Sequence, residues 1–180
     1  MSNNEVEFKG YGKTQRFSNL EVTITEKLDG TNACVIIKDG ELVGTQSRNR
    51  MIKPGDDNMG FAFWAYENKE ELSKLGDGYH YGEWAGPGIQ KNPHNFEEKG
   101  FYLFNTHRPQ ESLPSCVKMV PILYQGSFEG HSQLDEIMEE LLLKSNEEGY
   151  TPEGIIIYWH GFRTCQKYTF HANLPKWQLK

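Results

Sequence analysis

Residues 21–45 carry three short runs rich in β-branched and apolar side chains: Glu21-Val-Thr-Ile-Thr25, Ala33-Cys-Val-Ile-Ile37 and Glu41-Leu-Val-Gly-Thr45. Asp29-Gly30 and Asp39-Gly40 punctuate them. An Asp-Gly pair between such runs is a hairpin signal, so the pattern predicts a three-stranded antiparallel meander. Over residues 58–75 the period lengthens, with Phe61, Trp64, Ala65, Leu72 and Leu75 at helical spacing, Asn68 as a point where the helix can divide, and Gly76 as a stop. Residues 79–84 and 101–104 read as strands around the Gly86-Pro87-Gly88 loop, and 120–124 as another. A second helix is predicted over 132–148. Its capping box is Ser132 with Asp135, its apolar stripe Leu134, Ile137, Met138, Leu141 and Leu142, and its stop Gly149. Strands at 154–159 and 164–170, joined through His160-Gly161, complete a β-rich α+β pattern with few helices.

At 180 residues and 37% hydrophobic positions the chain has material for one core, and no linker, repeat or low-complexity tract interrupts it, so residues 1–180 are read as a single domain. A mean hydropathy of −0.70 and the lack of any apolar run near ~18 residues exclude a spanning helix. The polar opening MSNNEVEFKG does not read as a secretory signal, and the expectation is a cytoplasmic protein. Three widely spaced cysteines, never in a CxxC, fit neither a disulfide framework nor a zinc knuckle. The net charge of −6 argues at first against nucleic acid. Its distribution changes that: residues 129–153 hold eight acids against Lys144 alone, and the rest of the chain sums to +1. A solvated acidic helix with no meaning for partners is the more ordinary source of such a run.

The candidate chemistry begins at Glu26-Lys27-Leu28-Asp29-Gly30-Thr31-Asn32, a lysine at a strand end two residues before a carboxylate. A lysine ammonium ordinarily titrates near ~10.4, so a nucleophilic lysine needs burial, cationic neighbours or a metal-bound electrophile. Lys-x-Asp-Gly alone is also an ordinary turn beside a solvated lysine. Further elements follow in order: Ser47-Arg48, Tyr81-Gly82-Glu83-Trp84, Phe101-Tyr-Leu-Phe104, Glu153-Gly154-Ile155-Ile156-Ile157 and Gln166-Lys167-Tyr168. In this order they resemble the covalent nucleotidyltransferase superfamily of RNA ligases, DNA ligases and capping enzymes, and most closely the nick-sealing RNA ligases.

The resemblance implies an antiparallel-sheet-rich, ATP-grasp-like nucleotidyltransferase fold. It makes Lys27 the nucleophile that attacks the α-phosphate of ATP and holds AMP, with Glu26 at the adenine edge, Asp29 near the ribose and reacting groups, and Asn32 acting in the later steps on RNA. Arg48 would grip the sugar or phosphate, Glu83 a ribose hydroxyl, and Phe104 and Ile156 the two faces of adenine. Glu153 would hold a catalytic Mg2+ or Mn2+, and Lys167 would neutralise the α-phosphate. The implied substrate is RNA bearing a 5′-phosphate and a 3′-hydroxyl.

Two features depart from the family. Where two lysines usually flank one residue in the last motif, Cys165 takes the first place, and either Arg163 or another cation makes up the charge or the phosphate end is weaker. The chain also runs only thirteen residues past Lys167, so no appended OB domain is expected and a partner protein could supply a further one. Arg50 and Lys53 could extend a phosphate track or simply solubilise a loop. A Walker sequence, GxGxxG and HExxH are absent, and the histidines show no ligand spacing. Competing readings are a DNA ligase or capping guanylyltransferase core, and a non-catalytic nucleotide- or RNA-binding module of the same fold.

Overall fold

The computed structural model describes residues 10, 12, 13 and 20–170. The opening decapeptide, save Gly10, and His171 lie outside the described residues. Ten strands and three helices follow in order: β1 Glu21–Glu26, β2 Thr31–Lys38, β3 Glu41–Ser47, β4 Met51–Ile52, α1 Phe61–Glu67, α2 Lys69–Ser73, β5 Gly78–Ala85, β6 Gly100–Leu103, β7 Val117–Met119, β8 Ile122–Ser127, α3 His131–Glu148, β9 Gly154–Trp159 and β10 Thr164–Thr169. They form a four-stranded sheet, β10-β9-β1-β8, and a six-stranded sheet, β4-β3-β2-β5-β6-β7. All pairings are antiparallel except β6 with β7. The α+β class is as expected, and among the described residues no helix is long and apolar enough to cross a membrane.

The meander expected over residues 21–45 is not formed. β2 and β3 make the hairpin around Asp39-Gly40, but β1 belongs to the other sheet, between β8 and β9. Asp29-Gly30 is therefore a crossover between sheets. A Cβ on Gly30 would lie 2.5 Å from the Trp84 carbonyl oxygen and 2.9 Å from Glu83 Cγ, so glycine there permits the close approach of the crossover to β5.

Each sheet buries one face. Ala33, Val35 and Ile37 of β2 alternate inward with Trp84 of β5 and Phe101 and Leu103 of β6, against Phe61, Ala62 and Ala65 of α1 and Leu72 of α2. Phe61 packs edge-on to Trp84 at 5.5 Å and tilted to Phe101 at 5.2 Å. Asp57 caps α1, its carboxylate accepting from the Ala62 and Phe63 N–H groups at 2.7 and 2.9 Å. Asn68 divides α1 from α2, as the pattern allowed.

The four-stranded sheet packs Val22, Ile24, Ile155 and Ile157 under Leu134, Ile137, Met138 and Leu141 of α3. Leu142, assigned to this stripe on pattern, is 43% exposed, because the turn after Leu141 brings Ser145 inward instead. The expected capping box is also absent: Gly130 is the N-cap, Ser132 lies inside the helix, and the Gln133 side chain closes the end by accepting from the Glu129 N–H. A third cluster, Leu28, Ala85, Tyr102 and Val120 with Phe96, fastens the crossover to β5 and β6.

Candidate nucleotide site

Lys27 directly follows β1, held by its N–H donating to the Gly154 carbonyl at 2.9 Å. That bond places it beside Glu153, whose carboxylate accepts a hydrogen bond from Lys27 Nζ as an ion pair about one-fifth to one-third exposed. Gly154 has a φ of +146°, and a Cβ there would run into the Tyr168 carbonyl of β10, so glycine allows the chain to enter β9 directly after Glu153. Two residues 126 apart in sequence thus meet at the junction of the sheets.

From the six-stranded sheet, Glu83 and its cross-strand partner Asn32 face the same junction, with Asn32 Nδ2 donating to Glu83 Oε2 at 3.3 Å. Burial pushes the Glu83 carboxyl up to about 7. The Lys27 ammonium and the Gly30 N–H oppose that rise, and the Glu153 and Asp29 carboxylates add to it. Lys27, Asp29, Glu83 and Glu153 therefore share one electrostatic site. Arg48 is exposed one residue beyond Ser47, whose partner is Ala33, and so stands at the same end of the sheet as Asn32.

Ile156 and Lys167 are cross-strand partners, in one row with Thr25. Ile156 turns away from the α3 core flanked by Ile155 and Ile157, and Lys167 is exposed beside it. Phe104 follows β6, its N–H donating to the Tyr81 carbonyl at 2.9 Å, and its ring is 42% exposed. Ile156 and Phe104 therefore come from different sheets. Beyond Phe104 the chain crosses toward the four-stranded sheet, and His107 meets His160 edge-on at 5.3 Å. Cys165 pairs with Tyr158 two positions from Lys167, on the same face of β10.

Glu26 is placed differently. Its side chain is 3% exposed and Oε1 lies 3.0 Å from His94 Nε2, whose ring is sandwiched between Phe96 and Tyr150 at 5.2 Å each. The Glu26 carboxylate is thus engaged with a buried imidazole and set apart from the Lys27–Glu153 pair. His94 Nδ1 is buried without a partner. Sequence spacing left His94 an ordinary histidine; no local signal marks it, since its partner lies 68 residues away. Arg50 is tied to Asp56 at 2.9 Å and to the Asp57 carbonyl, bracing its loop.

Among the described residues no three His, Cys, Asp or Glu side chains gather as a closed metal cage. Magnesium rarely needs one: it keeps waters and takes one or two carboxylates together with substrate phosphates. Glu153, with Asp29 and Glu83 in its field, fits that donor set.

Solved mutant forms of the RNA ligase from Naegleria gruberi share this architecture. An apo form matches with TM-score 0.63 and 21% identity over 86% of this chain and 50% of that chain. A form with ATP and Mn gives 0.64 and 23% over 90% and 53%, and a form with AMP and Mn gives 0.62 and 23% over 86% and 51%. The present chain spans about half the length of those chains. One family description, RNA ligase, matches residues 20–169, from the residue before β1 to the last residue of β10. That stretch takes in both sheets and every residue placed at their junction, and the chain belongs to the RNA ligase family.

Proposed function

We propose that the junction of the two sheets is the site of an ATP-dependent RNA ligase core that charges itself with AMP on Lys27. The observation that carries the reading is the meeting of Lys27 and Glu153 within the field of Glu83 and Asp29. Solved relatives of the same fold are described with ATP or AMP and Mn. The Lys27 amine would attack the α-phosphorus, forming an N–P bond while the bond to pyrophosphate breaks. The amine must first shed a proton, and its hydrogen bond to Glu153 offers the path. Glu153 would hold a divalent ion, Mg2+ or Mn2+, directly or through water; the ion supplies neutralisation of the phosphate charge. Lys167 would face the α-phosphate, Arg48 and Glu83 the sugar, and Phe104 and Ile156 the two faces of adenine. Asp29 and Asn32 would act near the reacting groups as AMP passes to a 5′-phosphate of RNA and a 3′-hydroxyl displaces it. Splitting one displacement into three is what a covalent lysine provides. A further domain or a partner protein would add to the hold on RNA.

Incubation with ATP labelled in its α-phosphate and with magnesium, followed by denaturing electrophoresis, tests this. Wild type should retain label, and Lys27→Ala and Lys27→Arg should retain none while remaining folded by circular dichroism, because a strand-end lysine contributes little packing. Label persisting in Lys27→Ala would move the nucleophile elsewhere. A second reading, a non-catalytic nucleotide- or RNA-binding module, draws on exposed Cys165 standing where the family has a cation, and it predicts no retained label in wild type. Equal labelling by GTP would favour a capping enzyme core.

A further inference from the structure

We propose that Tyr79 and Tyr81 form a stacking platform for unpaired RNA bases on the open face of the six-stranded sheet, continuous with the nucleotide site. Alternate residues of a strand share a face. Tyr79, Tyr81 and Glu83 of β5 therefore project together, with Asn32 across from Glu83. Tyr79 is 60% exposed and Tyr81 52%. Their rings are nearly parallel, 17° apart in plane and 6.3 Å between centroids. Phe104, hydrogen bonded to the Tyr81 carbonyl, places a third exposed ring in the next strand's path. The aromatic row thus runs from the proposed adenine slot outward along β5.

Clustered exposed aromatics are unusual on a soluble surface and mark a binding site. Phe61, Trp84 and Phe101 show that this chain buries large rings where packing is their purpose. The occupant follows from the surroundings. The platform shares its strand and face with Glu83, so whatever lies on it is continuous with the reacting ends, and the family's substrate class is RNA. Lys38 of β2 lies exposed on the same face at the Tyr79 end. A cation-flanked sheet face with aromatics at alternate positions suits single-stranded bases, which stack without being read. A duplex, its bases already stacked, offers these rings far less.

This inference rests on the reading of the cleft as an RNA ligase core, and the experiment separates the two. Binding of a fluorescent single-stranded RNA of about twelve nucleotides is followed by anisotropy for wild type, Tyr79→Ala, Tyr81→Ala and the two Tyr→Phe variants, with covalent labelling by ATP measured in parallel. Each alanine variant should weaken RNA binding about fivefold or more, the phenylalanine variants should bind as wild type, and Tyr79→Ala should keep full labelling. RNA binding indifferent to both alanine changes, or absent in wild type, overturns the platform. Weakening by phenylalanine equal to that by alanine overturns it as well, since the rings would then not be what binds. Tyrosine-dependent RNA binding by a wild type that takes no label would instead remove the nucleotide reading and leave the platform standing.

Discussion

At the scale of single residues, the site gathers a small set of charges around one carboxyl that burial has altered. Glu83 is raised from 4.5 to about 7, chiefly by burial. Below pH 4.5 it is neutral in both folded and unfolded chains and contributes no pH dependence. Between about pH 4.5 and 7 the unfolded chain releases the proton while the folded one keeps it, so stability falls as pH rises, and above 7 the full penalty stands. Glu83→Gln removes the penalty. Its melting temperature relative to wild type should therefore climb between pH 5 and pH 8, by an amount worth about 1–3 kcal/mol. A gap independent of pH would show that Glu83 ionises freely. The residues of this set were legible in the sequence because each stands in a short motif. The commitment of Glu26 to His94 was not, because the pairing joins a strand end to a loop by side chains alone.

At the scale of elements, strand and helix existence was legible and strand partnership was not. β-branched runs at 21–25 and 33–37 around Asp29-Gly30 look locally like any hairpin, and nothing in a short window reports that β1 pairs with β8 and β9, about 100 and about 130 residues on. Leu142 illustrates a finer limit: helical spacing puts it on the stripe of Leu134, Ile137, Met138 and Leu141, yet it lies at the stripe's edge and is exposed, while Ser145 takes the buried position. The crossover gives an element-scale prediction. Gly30→Ala would press a methyl group onto the Trp84 carbonyl, so urea unfolding should show a loss of about 1–3 kcal/mol. Labelling by ATP should fall along with it, since the same shift displaces Lys27 from Glu83. An unchanged urea midpoint would mean that β5 gives way without cost.

At the scale of the whole molecule, the acid excess sits on and around α3 while the junction faces the other side of the four-stranded sheet, on the evidence of which residues each buries. The cations placed at the junction are Lys27, Arg48 and Lys167, and Cys165 stands where the family pattern has a further one. Residues 1–180 should therefore label robustly with ATP yet seal nicked RNA slowly, with a rate that drops steeply between low and high salt. Cys165→Lys should strengthen RNA binding severalfold at low salt. Fast, salt-insensitive sealing in single-turnover assays with pre-adenylated RNA would show a grip on RNA of another kind. The meeting of Lys27 with Glu153 has a temporal consequence too. On a ribosome adding about 5–20 residues per second, the 126 positions between them take roughly 6–25 s to make. Until then β1 has at most its β8 neighbour, and a nascent chain already displaying its lysine can neither set it against Glu153 nor finish its smaller sheet.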